Sequence, residues 1–412
     1  MTWVRFAALV LLAAAFALTF LVDPWQDELV SDVPLYRDYA EVFLDGVLPY
    51  RDIGFEYPPL AAPLIAAPGV VSLDPETYRY AFAVLMFLFL AALLLTVGRL
   101  ATLGGGREWP ALLVIALAPV ATGAMIRTHF DLAPVLCVVG GLAAVGAGRP
   151  RSGFALLGVG AAVKLFPLAA VPVAAAWLIG RGRRGEAVAG IAIAAIVTVL
   201  AAATAVAFSV DGAWNAVEYH AERPVQIESL PATVLNGIEE AGGRAPESVP
   251  SHRSDGLEHP AADALTAGFL ALMLLTLVAL TAKARRLPDV RGLGIAGLAS
   301  IAAFAAFGKV LSPQFMIWLL PLAAVALAWR MYALALVTTA TVAATLVWFP
   351  DRYFDLVDRE ELPLAAVAVR NGLLLLVLVL VARELRKLVR ESPAAAGSTP
   401  QARPAAPQSA PH

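Results

Sequence analysis

Apolar windows recur along the whole chain, near 3–22, 79–98, 110–126, 132–148, 152–164, 166–180, 186–208, 262–282, 292–307, 313–329, 332–349 and 362–382. About 20 apolar helical residues are needed to cross roughly 30 Å of hydrocarbon, where each backbone polar group must be satisfied inside the protein. A mean hydropathy of +0.75 over 412 residues excludes an ordinary soluble domain. Alternating ten-residue segments, the mark of an outer-membrane barrel, are missing from the sequence. The expectation is an all-α, polytopic helical membrane protein with about 12 transmembrane helices. Residues 3–22 resemble a signal peptide, with Arg5 ahead of an apolar stretch, but no small-residue cleavage site follows. They read as an uncleaved first helix. Cys137 is the single cysteine and lies in an apolar run, so it reads as a packing residue that has no disulfide partner in the chain.

Basic clusters set the orientation. The links "GRPR" (148–151), "RGRRG" (181–185) and "KARRLPDVR" (283–291), and the post-helical "RELRKLVR" (383–390), are dense in Lys and Arg and are expected on the cytoplasmic side. Keeping them together makes 58–72 an interfacial or re-entrant segment and splits 152–180 into a hairpin of two short helices, with "KLFP" at its tip. Pro167 there breaks the helix. One integral membrane domain, 1–390, then carries large external loops at 23–78 and 209–261 and short external links at 127–131, 308–312 and 350–361. The Pro- and Ala-rich stretch 391–412 reads as a disordered cytoplasmic tail. Localisation is expected to be the plasma membrane, multi-pass, with the active site on the extracytoplasmic face.

In this topology the ionisable groups near membrane depth gather on the outer side: Asp32, Arg127, His129, Asp131, Lys164, His220, Arg223, Glu228 and Lys309. Each costs roughly 2.5–3.5 kcal/mol on insertion scales, so their convergence marks a site. The plain alternative is snorkelling or internal pairing, and Lys164 fits snorkelling least because it lies midway along an apolar run. Within the first loop, Tyr36, Tyr39, Ala40 and Phe43 follow helical spacing, with Asp38, Glu41 and Asp45 on the wet face. The tyrosines suit the headgroup layer. "RPVQIESLPATVL" (223–235) is expected to form a second surface helix. "GGG" (104–106) lacks the Lys-Ser/Thr of a phosphate loop. His129 and Asp131 have no third ligand nearby in sequence, so no metal is assigned, and no cofactor is called for. The dispersed basic loops give nucleic-acid binding no support.

The first loop reads D-x-x-x-Y-R-x-Y-A-x-x-x-L-x-G-x-x-P-Y-R-D and then "FEYPPL". With "RTHFDLAP" (127–134), "AAVKLFPL" (161–168), "YHAERPVQIESLPATVL" (219–235) and "LSPQFMIWLLP" (311–321), it resembles glycosyltransferase family 87 of the C-type superfamily. The resemblance implies a membrane enzyme that takes a sugar, mannose first, from a polyprenyl-phosphate donor. The acceptor would be a glycolipid or glycan of the cell envelope. It implies Asp32 as catalytic base, with Arg127, His129, Lys164, His220, Arg223, Glu228 and Lys309 toward the donor phosphate and substrate, and Tyr36, Arg37, Tyr50, Glu56 and Tyr57 supporting the loop. Family members commonly have an aliphatic residue and a Val-Tyr or Phe-Tyr pair after the aspartate, whereas this chain has "DVPLYR" with Pro34 inside. Arabinofuranosyl transfer is the sister reading. A lipid-linked-sugar flippase or transporter, and a non-catalytic scaffold of the same fold, are the readings outside that chemistry.

Overall fold

The computed structural model describes residues 2–391 apart from Pro24 and Asp27; the expected tail at 392–412 lies outside them. In chain order the helices are α1 (Trp3–Leu18), α2 (Val33–Leu44), α3 (Ala61–Gly69), α4 (Pro75–Leu103), α5 (Glu108–Ala116), α6 (Ala118–Thr122), α7 (Met125–Thr128), α8 (Leu132–Gly146) and α9 (Pro150–Val163). They continue as α10 (Ala170–Ile179), α11 (Arg184–Phe208), α12 (Val210–Glu222), α13 (Leu230–Glu240), α14 (Ala262–Ala284), α15 (Val290–Phe307), α16 (Leu320–Ala328), α17 (Tyr332–Ala344), α18 (Tyr353–Val357) and α19 (Glu361–Arg390). Five of these, α4, α11, α14, α15 and α19, are long and apolar enough to cross a bilayer unaided. The other apolar windows are helical but shorter or broken. Window 110–126 is divided among α5, α6 and α7, with Pro119 in the first turn of α6 and Gly123 at φ +57° ending it. Nine-residue α3, about 14 Å long, is too short to span.

Helix breaks put polar groups inside the bundle. Apolar sequence runs on past Val163, yet α9 stops there and Lys164 is extended (φ −158°, ψ 133°) before a 3-10 turn, Phe166–Ala169. Pro167 lies in that turn, as the hairpin reading requires. Ending a helix strands its last carbonyls. One of them, Ala162 O, accepts from the Leu60 N–H of the first loop at 2.9 Å.

Three of the basic links, 148–151, 181–185 and 283–291, lie together at one end of the bundle. Trp177 Nε1 donates to Asp289 O at 3.0 Å, and Gly180 packs so tightly on Arg285 that a Cβ would fall 2.0 Å from its carbonyl oxygen. Arg5 pairs with Glu108 at 2.7 Å. At the opposite end lie α2, α3, α12, α13 and a three-stranded antiparallel sheet. Its strands are β1 (Val225–Gln226), β2 (Glu247–Ser251) and β3 (Ser254–Glu258), in the order β1-β3-β2.

Three expectations change here. The protein is mostly helical but not all-α, because the loop at 209–261 satisfies its backbone partly through this sheet. The helix expected over 223–235 is interrupted: Val225 and Gln226 pair with Leu257 and Gly256, and α13 begins only at Leu230, capped by Ser229 Oγ accepting from Ala232 N at 3.2 Å. The first-loop tyrosines are not headgroup anchors. Tyr36, Tyr39 and Tyr50 are buried in an aromatic cluster with Phe55, Phe82 and Phe130, while Asp38, Glu41 and Asp45 do form the wet face of α2. Edge-to-face packing with a satisfied hydroxyl favours burial of these rings over an interfacial position.

Candidate functional site

Asp32 occupies the N-cap position of α2, and Pro34 sits in the first turn, where a missing N–H costs nothing. The Asp32 side chain does not cap the helix; its Oδ2 instead accepts from the Tyr36 hydroxyl at 2.9 Å. Burial first, and then the Asp32 charge, push the Tyr36 phenol well above its ordinary value, so it stays a donor. His129 Nε2 lies 3.6 Å from the same carboxylate oxygen. On the far side of the ring, Nδ1 is 3.0 Å from Thr128 Oγ1, whose own hydrogen goes to Ala124 O at 2.9 Å. Nδ1 therefore carries the ring hydrogen in that contact.

Phe130 packs against both Tyr36 and Lys164. Its ring packs on Tyr36 and Tyr57, at centroid distances of 5.4 and 5.1 Å, and Lys164 Nζ lies 5.4 Å from its centre. Lys164 Nζ donates to Asp131 Oδ1 at 2.8 Å, inside walls formed by Phe315 and Trp318. Trp318 is sandwiched between Phe166 and Phe315 and donates to that same Asp131 oxygen at 2.6 Å.

His220, Arg223 and Lys309 border the site from the other loop. His220 Nε2 meets Glu56 O at 2.8 Å. Desolvation chiefly, then repulsion from Arg223 and Lys164, hold the imidazole below its ordinary value. Lys309 donates to Ala221 O near the C-terminus of α12 at 2.6 Å, where helix carbonyls favour a cation. Desolvation and then Arg223 lower it also. Arg223 donates to Ser254 Oγ at 2.7 Å. His220 and Lys309 thus both lie within the field of Arg223.

Two candidates point elsewhere. Arg127 is buried and donates to Thr19 O at 2.6 Å, to Thr19 Oγ1 at 3.0 Å and to Gln26 O at 3.2 Å, and it pairs with Glu28. It clamps the exit of α1 to the segment leading to Asp32. Glu228 is wholly buried, accepting from Trp348 Nε1 at 3.1 Å and Gln226 Nε2 at 3.2 Å, and burial raises its carboxyl to about 7. Among the loop-support residues, Glu56 accepts from Tyr39 and pairs with Arg253 at 3.1 Å, and Tyr50 donates to Tyr57 O. Arg37 stays at the surface beside Asp38 and Glu41.

Sequence reasoning missed the role of Trp318 and Arg253, and of Glu28, held between Arg127 and Arg79. An acidic residue just beyond the first span was the available signal for Glu28. Among the described residues no three His, Cys, Asp or Glu side chains gather as a metal site.

A helical membrane protein with carboxylate and cations clustered at one end of its bundle is the class that fold and site define. The model of glycosyltransferase family 87 matches residues 55–313, more than half the chain, and the protein belongs to that family. The matched stretch contains His129, Lys164, His220, Arg223 and Lys309 and leaves Asp32 outside. Among solved structures, the crystal structure of the Archaeoglobus fulgidus oligosaccharyltransferase in the apo form aligns with 94% of this chain at 14% identity and a TM-score of 0.45. The chain covers 55% of that protein's length. No curated protein matches the sequence.

Proposed function

We propose that the protein transfers a sugar, mannose first and arabinofuranose second, from a polyprenyl-phosphate donor to a hydroxyl of a cell-envelope glycolipid or glycan. The reading places the reaction at the outer face of the plasma membrane. The observation that carries it is a carboxylate that does not cap its own helix, Asp32, held by Tyr36, whose ring packs on the same Phe130 ring that Lys164 faces.

Each part meets a demand of the chemistry. A phosphate already leaves well, so the acid that protonates a glycosidic leaving group is unnecessary. Asp32 takes the acceptor O–H proton as the oxygen bonds to the anomeric carbon, a contribution typically 10²–10⁴-fold. Attack opposite the phosphate inverts that carbon. The C–O bond to phosphate breaks, and the charge left on the lipid phosphate is met by Lys164, His220, Arg223 and Lys309. Tyr36 holds the carboxylate in place, and the aromatic box keeps Lys164 aimed.

Membranes given labelled polyprenyl-phosphate mannose or arabinose test the reading through sugar transferred to lipid or polysaccharide. Full transfer by a folded Asp32→Asn variant would remove Asp32 as the base. Vesicles that flip the lipid-linked sugar but form no transfer product would favour the transporter reading. Against a transport path, buried Arg370 is engaged by Glu228 O at 2.7 Å, so it serves as an anchor for the loop above it.

A further inference from the structure

Five non-glycine residues among the described ones have positive φ, and three of them, Tyr50 (68°), His252 (54°) and Arg253 (54°), converge on one place. His252 and Arg253 fill the two central positions of the β2–β3 turn, where Asn-Gly is the residue pair that relieves strain. Strained backbone of this kind persists where surrounding contacts over-determine it, and it clusters at ligand clamps. The contacts are present: Tyr219 donates to His252 O at 2.6 Å, and Arg253 reaches both Tyr39 Oη at 2.9 Å and Glu56 at 3.1 Å.

Tyr50, Arg253 and Tyr219 all line a cavity of about 430 Å³ between α12, the 50–56 turn and the β2–β3 tip. That volume falls in the usual range for small-ligand sites, about 300–1,000 Å³. Its floor comes from the close docking of α12, where Gly212 is obligatory because a Cβ would fall 1.7 Å from Tyr50 O.

The lining specifies the ligand's chemistry. Arg51 is paired with Asp52 at 2.8 Å, and Arg253 with Glu56, so the charges cancel within the wall. Asn215 adds an exposed amide, and Tyr219 adds an aromatic ring. Such a wall offers donors and acceptors in balance beside aromatic surface, which suits hydroxyls that both give and accept hydrogen bonds. It contrasts with the cation-rich group around Lys164, and Glu56 joins the two: its side chain forms the cavity wall while its carbonyl meets His220.

We propose that this cavity is a binding subsite for a neutral oligosaccharide, the portion of the acceptor glycan beyond the reacting sugar. The assignment rests on the sugar-transfer reading above and says where that acceptor lies. The turn's strain is the cost of holding Arg253 against Tyr39 and Glu56 in the cavity wall.

Saturation-transfer NMR on the full-length protein in nanodiscs tests this with neutral manno- and arabino-oligosaccharides, and with a sulfated oligosaccharide as charged control. Wild-type protein and Asp32→Asn should bind a neutral series equally. Asn215→Trp, which fills the cavity from an exposed position, should weaken binding at least tenfold with unchanged thermal melting. Asn215→Ala should weaken it less. Unchanged affinity in Asn215→Trp, preference for the sulfated control, or no neutral binding by protein that still transfers sugar would each overturn the subsite. Loss of transfer in Asp32→Asn with binding retained supports both readings. Transfer retained in that variant removes the base and leaves the cavity assignment standing.

Discussion

Lys164 and Trp318 share a single acceptor atom: both donate to Asp131 Oδ1, at 2.8 and 2.6 Å. A carboxylate only 1% exposed therefore has one charged and one neutral partner. Lys164→Met should cost about 3–5 kcal/mol, the usual penalty for breaking a buried pair from one side. The double variant Lys164→Met/Asp131→Leu should recover most of that melting temperature yet remain inactive in sugar transfer. Recovery of both together would make Lys164 a structural residue only.

Arg127 should act on Asp32 at a distance. Arg127→Leu removes the bonds to Thr19 and Gln26 and leaves Glu28 with Arg79 at 3.5 Å. Faster hydrogen exchange across residues 19–32 is expected, with transfer lost and the distant β2–β3 hairpin unaltered. Mass-spectrometric exchange on purified protein reads both regions at once.

Stability should vary with pH through Glu228. Its folded carboxyl sits at about 7, above an ordinary glutamate near 4.3, so between those values the folded state holds a proton that the unfolded chain has released. Stability therefore falls as pH rises through that window, by up to about 3 kcal/mol. Glu228→Gln keeps an acceptor for Trp348 and should flatten the dependence of melting temperature on pH between 5 and 8. An equally sloped profile in the variant would place the titration on another group.

The expected orientation can be read with thiol labelling in a Cys137→Ser background. A cysteine replacing Glu240 should react with a membrane-impermeant maleimide in intact cells. One replacing Arg286 should react only after permeabilisation.

The periodic features of this protein were legible from sequence because they follow from hydrocarbon thickness and charge placement. Each expected apolar window contains helix, and three of the basic links meet at one end. Asp32 and Lys164 stood out because a carboxylate at the membrane rim and a lysine within an apolar run both need an explanation. The contact of Trp318 was hidden, since it lies 187 residues from Asp131, the carboxylate it shares with Lys164. Short-range patterns also misplace buried aromatics: Tyr36 and Tyr39 fit an interfacial stripe by spacing, and only the packing of Phe82, Phe130 and Phe55 shows which way they face. The small sheet escaped notice because "ESVPS" and "SDGLE" lack apolar alternation and are held mainly by backbone pairing.

The hydrogen bond from Leu60 N to Ala162 O has a consequence for how such a protein can change over time. It ties the loop that carries the carboxylate to the broken helix that carries the lysine, and it uses main-chain atoms alone. Side chains at both positions can drift without loosening it; at Leu60 only proline deletes the donor. The joint between that loop and the turn at Lys164 is thus insulated from most substitutions, so the side chains around it can be exchanged without parting the two.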